Sequence, residues 1–70
     1  MMPLSMAEQE KELVIRKIGG NPEVKKHLED LGFHVGGCIS LVSRLGDNVI
    51  VKVKESRVAI SEELARKIMI

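Results

Sequence analysis

The sequence has little of several residue types on which common functions depend. Its 70 residues include one phenylalanine and neither tryptophan nor tyrosine. It therefore lacks the aromatic rings that stack nucleic-acid bases or hold proline-rich peptides. Eleven basic residues against ten acidic ones leave a formal net charge of +1, which provides no broad positive field for a nucleic acid or an anionic bilayer. We therefore expect no nucleic-acid partner.

Cysteine and long apolar runs are also scarce. Cys38 is the single cysteine, so an internal disulfide is excluded. There is neither a run of 18 apolar residues nor a cleavable signal pattern, and we expect a cytoplasmic protein without direct membrane insertion. Seventy residues fit a single domain, residues 1–70, whose core needs most of the apolar 44% of the chain. Little is left for a deep ligand pocket, which favours a function carried by a surface.

The clearest predicted element is a helix that begins at Asn21. The Asn21 side chain can cap a helix, and Pro22 suits the first helical position. Apolar residues then recur at helical spacing around Leu28. The helix is predicted to end at Gly32, where a left-handed residue is needed, with Phe33 packing back on Leu28.

After this helix the apolar period changes to two, which is typical of strands. Segments 38–43 and 49–54 flank a turn cluster at 45–48, so we predict a hairpin. A further short strand at 57–60 follows a tight connection. These three strands should form an antiparallel meander.

The two ends of the chain are predicted to meet in the same sheet. Ser61 can cap a short helical turn, and the apolar residues 68–70 predict an edge strand that pairs within 13–18. Ser5 has the spacing of a capping box, so we expect a turn of helix at 5–8. The helix formers between residues 8 and 18 leave a helix as the alternative to the first strand.

This order predicts a mainly β, small α+β domain. It is an SH3-like, partly open barrel of about five antiparallel strands, with one α-helix between the first and second strands and a short helical turn before the last. The sequence resembles the FeoA family of small cytoplasmic proteins from bacterial ferrous-iron uptake systems, over Pro3 to Ile70. The residues that carry the resemblance are Pro3-Leu4-Ser5, Gly19-Gly20, Leu28, Leu31-Gly32-Phe33, Gly36, Val58-Ala59-Ile60-Ser61, Glu62, Glu63, Ala65 and Ile68.

Three connections depart from the family pattern. Gln9-Glu10 replaces a Pro-Gly turn, Val35 stands where a proline usually precedes Gly36, and Glu55 stands where a turn glycine is common. Because all three lie in connections, we expect them to alter turn geometry more than the fold.

A metal site is the first chemistry to consider. His27, His34 and Cys38 are the only soft or borderline ligands, and a closed site needs about four ligands in fixed geometry. These three fall on a helix flank, after the helix and at the start of a strand. They are weak candidates, and we expect surface or boundary side chains instead.

The sequence contains no recognisable catalytic motif. No Gly-x-Ser-x-Gly elbow is present, and no histidine is paired with an acid by any known motif. The paired glycines at 19–20 and 36–37 lack the spacing that cradles phosphates. We predict no enzyme and no cofactor.

An interaction surface is the remaining candidate. Four cations fall on neighbouring strands of the predicted meander and make it locally basic: Arg44, Lys52, Lys54 and Arg57. Ile50 is an apolar residue on the same face, with Val42 nearby, and could mark a docking spot. Lys25 and Lys26 form a second basic patch on the helix. An ordinary solvated surface is the alternative for both.

The resemblance implies a non-enzymatic accessory protein of ferrous-iron uptake. Its partner would be FeoB, a membrane transporter with a cytosolic GTP-binding domain, which would bring the chain to the inner membrane. One alternative is an iron-linked docking or sensing module, similar to the C-terminal domain of DtxR-type repressors. Another is weak transition-metal binding through the three candidate ligands. The residues leave the oligomeric state open.

Overall fold

A computed structural model describes residues 1–70, which form short strands and two α-helices in one small domain. The elements, in chain order, are a 3-10 helix at Leu4–Met6, β1 Leu13–Val14, β2 Lys17–Ile18, α1 Pro22–Asp30, β3 Cys38–Leu45, β4 Asn48–Val53, β5 Ser56–Ser61, α2 Glu62–Ala65 and β6 Ile68–Met69.

The strands form two antiparallel sheets that do not close on each other. One sheet has the order β1-β3-β4-β5, and the other pairs β2 with β6. The meander and the pairing of the C-terminal strand within residues 13–18 are confirmed. This open arrangement agrees with the predicted partly open SH3-like barrel.

The first predicted strand is broken into two. The Ile15 N–H donates to Gly37 O at 2.9 Å, beside β3, whereas the Arg16 N–H donates to Met69 O at 2.7 Å, in β6. The chain therefore changes sheets between residues 15 and 16. The break could not be predicted, because the sequence has no glycine or proline at this point. It raises the number of strands from about five to six.

The core is one cluster of fifteen buried apolar side chains, and no polar side chain is buried. Eight members lie where the predicted helix cap and the period of two in the predicted strands place apolar residues: Leu28, Phe33, Ile39, Leu41, Val49, Val51, Val53 and Ile60. Three further apolar residues of these elements are half-buried against it: Val24, Leu31 and Val58. The period of the sequence does not identify the other seven, because most lie in irregular or very short segments: Leu4, Ala7, Ile15, Ile18, Ala65, Ile68 and Ile70.

Both ends of α1 are confirmed. The Asn21 Oδ1 accepts a hydrogen bond from the Val24 N–H at 2.9 Å. At the other end Gly32 has a φ of +104°, and the Phe33 N–H donates to Leu28 O at 2.9 Å. These are the marks of a Schellman cap, which turns the chain so that Phe33 enters the core.

The N-terminal helical turn differs from its prediction. A helical turn is present near residue 5, but it is a 3-10 helix over Leu4–Met6 and not a turn at 5–8. The predicted Ser5 cap is wrong, because the N-cap residue is Pro3 and no side chain caps the turn. Leu4 is fully buried, so packing of that side chain fixes the turn in place of a cap. By contrast, the Ser61 cap on α2 is confirmed, since its Oγ accepts from the Leu64 N–H at 3.2 Å.

Two residues other than glycine adopt left-handed backbone conformations. Glu10 has a φ of +61° and Lys54 a φ of +56°. Glu10 stands where the resemblance predicts the glycine of a Pro-Gly turn, and its N–H donates to Leu41 O at 2.7 Å. The chain thus keeps a glycine-like conformation without the glycine, at a cost of about 1–2 kcal/mol for an L-residue.

Replacing Glu10 with glycine is therefore expected to stabilise the protein. The gain in the free energy of unfolding should be about 0.5–1 kcal/mol, because relief of the strained φ exceeds the added entropy of the unfolded chain. Urea unfolding followed by circular dichroism measures it. Glu8→Gly is the matched control, since Glu8 is also exposed but has no positive φ. An equal or larger gain for Glu8→Gly would contradict the assignment of strain to residue 10.

Candidate functional site

One side of the four-stranded sheet faces away from the core and forms the candidate site. Directly opposed residues share a face, and the register pairs Ser40 with Lys52, Lys52 with Arg57, and Ile50 with both Ser43 and Ala59. Their strand neighbours Val49, Val51 and Val53 point the other way and are buried. We call this side the outer face, and its residues are Ser40, Ser43, Ile50, Lys52, Arg57 and Ala59.

The outer face is basic along β4 and β5. Lys52 lies opposite Arg57, and Lys54 follows in the turn between the two strands. All three side chains are exposed. Glu55 in the same turn offsets one of these charges, so the local balance favours contact with an acidic surface.

A shallow depression opens beside these lysines, at the edge near β1. It has a volume of about 250 Å³ and is lined by Glu12, Cys38, Ile39, Ser40, Lys52 and Lys54. Glu12 was not predicted as part of the site. Its position follows from strand alternation, because Glu12 lies two residues before Val14 and so on the same side of the strand. Val14 pairs with Cys38, which is exposed and lines the depression. Strand alternation extended by one residue would have placed Glu12 on the outer face.

The apolar spot predicted at Ile50 has a clear place in this face. Ile50 is half-buried, and it lies directly opposite exposed Ala59 on β5. Val42, also half-buried, lies where the register between β3 and β4 shifts. A small apolar area thus borders the lysines, as docking surfaces with a desolvated centre require.

Arg44 does not share this face with the other three cations, which corrects the predicted grouping. The register shifts between Leu41 and Ser43, so one extra residue enters β3 as a bulge. Arg44 is therefore opposite Val49, a core residue, although simple alternation from buried Leu41 would point it outward. The prediction assumed an unbroken period of two.

The Arg44 side chain instead holds the N-terminal segment. Its guanidinium donates to Ser5 O at 2.7 Å and to Ala7 O at 2.9 Å. These two carbonyls belong to the 3-10 helix and the residue that ends it. Charged donors make stronger hydrogen bonds than neutral ones, so Arg44 links the rim of the barrel to the segment that buries Leu4.

Cys38 and Glu12 interact in the depression of the outer face. A side-chain hydrogen bond with Glu12, followed by the negative charge of that carboxylate, raises the pKa of the Cys38 thiol. Since the thiolate is the form that attacks electrophiles and binds metals, the raised pKa favours the less reactive, protonated form of Cys38.

Removing the carboxylate should therefore make Cys38 more reactive. In Glu12→Gln the thiol pKa is expected to fall, because both the charge and the acceptor that favour the protonated thiol are weakened. The rate of alkylation by iodoacetamide, followed from pH 6 to 10, reports the thiolate fraction. Glu8→Gln removes an exposed carboxylate of the same charge from the N-terminal segment and should leave this profile unchanged. Superimposed profiles for Glu12→Gln and the wild type would contradict the assignment.

The other predicted site residues are dispersed. His27 lies on α1 and His34 in the connection to β3, and both are exposed. These two histidines and Cys38 do not form a three-ligand cluster, because no group of three or more His, Cys, Asp or Glu side chains is placed to hold a metal ion. Lys25 and Lys26 are exposed on α1 as a separate patch. Neither helix has the length and apolar character that crossing a membrane requires.

Known proteins match this sequence over nearly its whole length. The family model described as FeoA domain matches residues 2–70. The chain is 30% identical to putative Fe(2+) transport protein A of Methanocaldococcus jannaschii, over all 70 residues and 85% of that protein.

Solved structures share the fold at lower identity. FeoA of Stenotrophomonas maltophilia, an SH3 domain protein crystallised with zinc, superimposes with a TM-score of 0.83 at 23% identity, over 99% of this chain and 88% of that one. A manganese-dependent transcriptional repressor gives a TM-score of 0.85 at 13% identity, over 94% of this chain but 38% of its own. The same small barrel therefore occurs alone and within longer proteins.

Proposed function

Because the chain belongs to the FeoA family, whose members are accessory proteins of ferrous iron transport, we propose that it binds a FeoB-type membrane transporter and regulates it without catalysing a reaction itself. The match to the family model over residues 2–70 carries this proposal. The barrel would act by binding one conformation of the transporter's cytosolic GTP-binding domain more tightly than another.

The outer face supports the proposal as the docking surface. It combines the half-buried Ile50 with the exposed cations Lys52 and Arg57 on two adjoining strands. Such a surface is complementary to a partner surface that has an apolar centre surrounded by acidic side chains. Lys25 and Lys26 on α1 provide positive charge, but no apolar strand residue such as Ile50 lies beside them. The helix is therefore the weaker candidate for a docking surface.

The transporter's own activities test this proposal. Ferrous iron uptake and GTP hydrolysis would be measured in cells or vesicles that contain the transporter from the same organism, with and without the chain. We expect a change in at least one rate, and we expect Lys52→Glu to reduce it. Lys26→Glu makes the same change of charge on α1 and should act like the wild type.

Two results would separate the parts of the proposal. Equal rates with and without the chain, together with no binding to the transporter, would contradict the regulatory function. A loss of effect in Lys26→Glu but not in Lys52→Glu would move docking to α1 and contradict the assignment of the outer face.

A second candidate function rests on the fold shared with metal-dependent repressors. At 13% identity this likeness concerns the fold alone. In that case the chain would dock within a regulatory assembly and not on a transporter. Affinity capture from the native organism distinguishes the two, since recovery of a repressor without the transporter would favour this second function.

A further inference from the structure

The outer strand of the meander, β5, has one unpaired edge. It pairs with β4 and with no other strand, and it ends the four-stranded sheet. At six residues, Ser56–Ser61, it is as long as β4. Natural sheets usually protect such an edge, because its free N–H and C=O groups are a template for another strand.

The register shows which backbone groups are free. The Glu62 N–H donates to Asp47 O at 2.8 Å, just beyond the last pair of β4 and β5. In an antiparallel ladder, hydrogen-bonded and non-bonded pairs alternate. In steps of two from this bond, the pairs with β4 at Ile60, Val58 and Ser56 are hydrogen-bonded. The backbone N–H and C=O groups of these three residues therefore point towards β4. The N–H and C=O groups of Arg57 and Ala59 and the N–H of Ser61 therefore point away from the sheet. The C=O of Ser61 is not free, because Ser61 is the N-cap residue of α2.

Little protects this edge from another strand. β5 contains neither proline nor lysine, and the register with β4 shows no bulge. Its central residue, Ala59, is exposed and has a side chain too small to obstruct an approaching backbone. Val58 on the core side is only half-buried, because no strand lies beyond it.

We propose that β5 pairs antiparallel with β5 of a second copy of the chain, around a two-fold axis at Ala59. In this register Arg57 of each copy lies opposite Ser61 of the other. About four backbone hydrogen bonds join the two edges, because the Ser61 C=O is taken by the first turn of α2. Val58 of each copy lies opposite Ile60 of the other and loses exposed apolar surface. The two sheets become one continuous sheet of eight strands.

The charges at the two ends of β5 favour a second copy of the chain as the partner at this edge. The N-terminal end of β5 is basic, with Lys54 and Arg57, whereas its C-terminal end runs into Glu62 and Glu63 on α2. Antiparallel pairing brings the basic end of each copy to the acidic end of the other, twice by symmetry. Glu62 already pairs with Arg66 at 3.2 Å, but Glu63 has no ion pair within the chain and is free to meet Arg57 of the second copy.

Sedimentation equilibrium of the full chain tests this pairing. Over about 10 μM to 1 mM, with a reductant that keeps Cys38 a thiol, we expect a monomer–dimer equilibrium of the weak kind that small interfaces give. Arg57→Glu should weaken dimerisation about tenfold, since it replaces two attractions by two repulsions. Arg57→Glu combined with Glu63→Arg should restore it, which a merely structural role of Arg57 would not allow.

Two further variants complete the test. Ala59→Pro removes an N–H that points away from β4, so it should abolish dimerisation while the monomer keeps its folded circular dichroism spectrum. Lys26→Glu changes the same charge as Arg57→Glu but on α1, and should leave the equilibrium unchanged. A chain that stays monomeric at 1 mM, or a dimer that Arg57→Glu leaves equally stable, would overturn the proposal. Because neither result involves the transporter, the proposed function is tested separately.

Discussion

Phe33→Ala is expected to leave about half of the protein unfolded at 25 °C. Phe33 is the only aromatic residue and is fully buried among fifteen core side chains. Truncation of a buried phenylalanine costs about 3–5 kcal/mol through lost transfer energy and the cavity left behind. A single core in a chain of this size rarely supplies more than about 3–5 kcal/mol of net stability, so the substitution removes nearly all of it.

Circular dichroism at 25 °C and urea unfolding of Phe33→Ala measure this effect. Val35→Ala is the matched control, because Val35 lies two residues away and its side chain is 64% exposed. It should change the free energy of unfolding by no more than about 0.5 kcal/mol. A Phe33→Ala variant as stable as Val35→Ala would show that the core does not depend on Phe33.

Gly32→Ala is expected to cost roughly 2 kcal/mol of the free energy of unfolding. Gly32 ends α1 with a φ of +104°, a region in which an L-residue is strained by about 1–3 kcal/mol. An added Cβ would also lie 3.3 Å from Val53 Cγ1 in the core. The variant therefore combines backbone strain with crowding at the point where the chain turns Phe33 inward.

Gly36→Ala separates these two effects. Gly36 has a φ of +89°, but a Cβ added there meets nothing within 4 Å. We expect this control to lose about 1 kcal/mol from backbone strain alone. Thermal unfolding of both variants gives the comparison. Equal losses would mean that Val53 moves aside without cost, and no loss in either would contradict the left-handed cap.

The helix α1 and the strands of the meander could be predicted from the sequence, because capping residues and apolar periodicity indicate the same structure there. Asn21, Pro22 and Gly32 mark the ends of α1 through backbone chemistry that depends on few neighbours. The strands of the meander alternate cleanly except at Val42. The N-terminal segment could not be predicted in the same way, because Leu4 and Ile15 are fixed by burial between distant parts of the chain.

The candidate site was predictable only where alternation continues without interruption. Ile50, Lys52 and Arg57 lie on one face as the period of two requires. Arg44 does not, because a bulge has no reliable signature in a single sequence and reverses every side chain beyond it. Likewise, the free edge of β5 follows from strand order, which no local pattern encodes.

The most direct measurement is a titration of the ¹⁵N-labelled chain with the cytosolic GTP-binding domain of the FeoB-type transporter from the same organism. Amide chemical shifts then locate the contact residue by residue. We expect saturable shifts at Ser40, Ile50 and Lys52 on the outer face, which Lys52→Glu weakens and Lys26→Glu leaves intact. A spectrum unchanged at excess transporter domain, or shifts confined to α1, would contradict it.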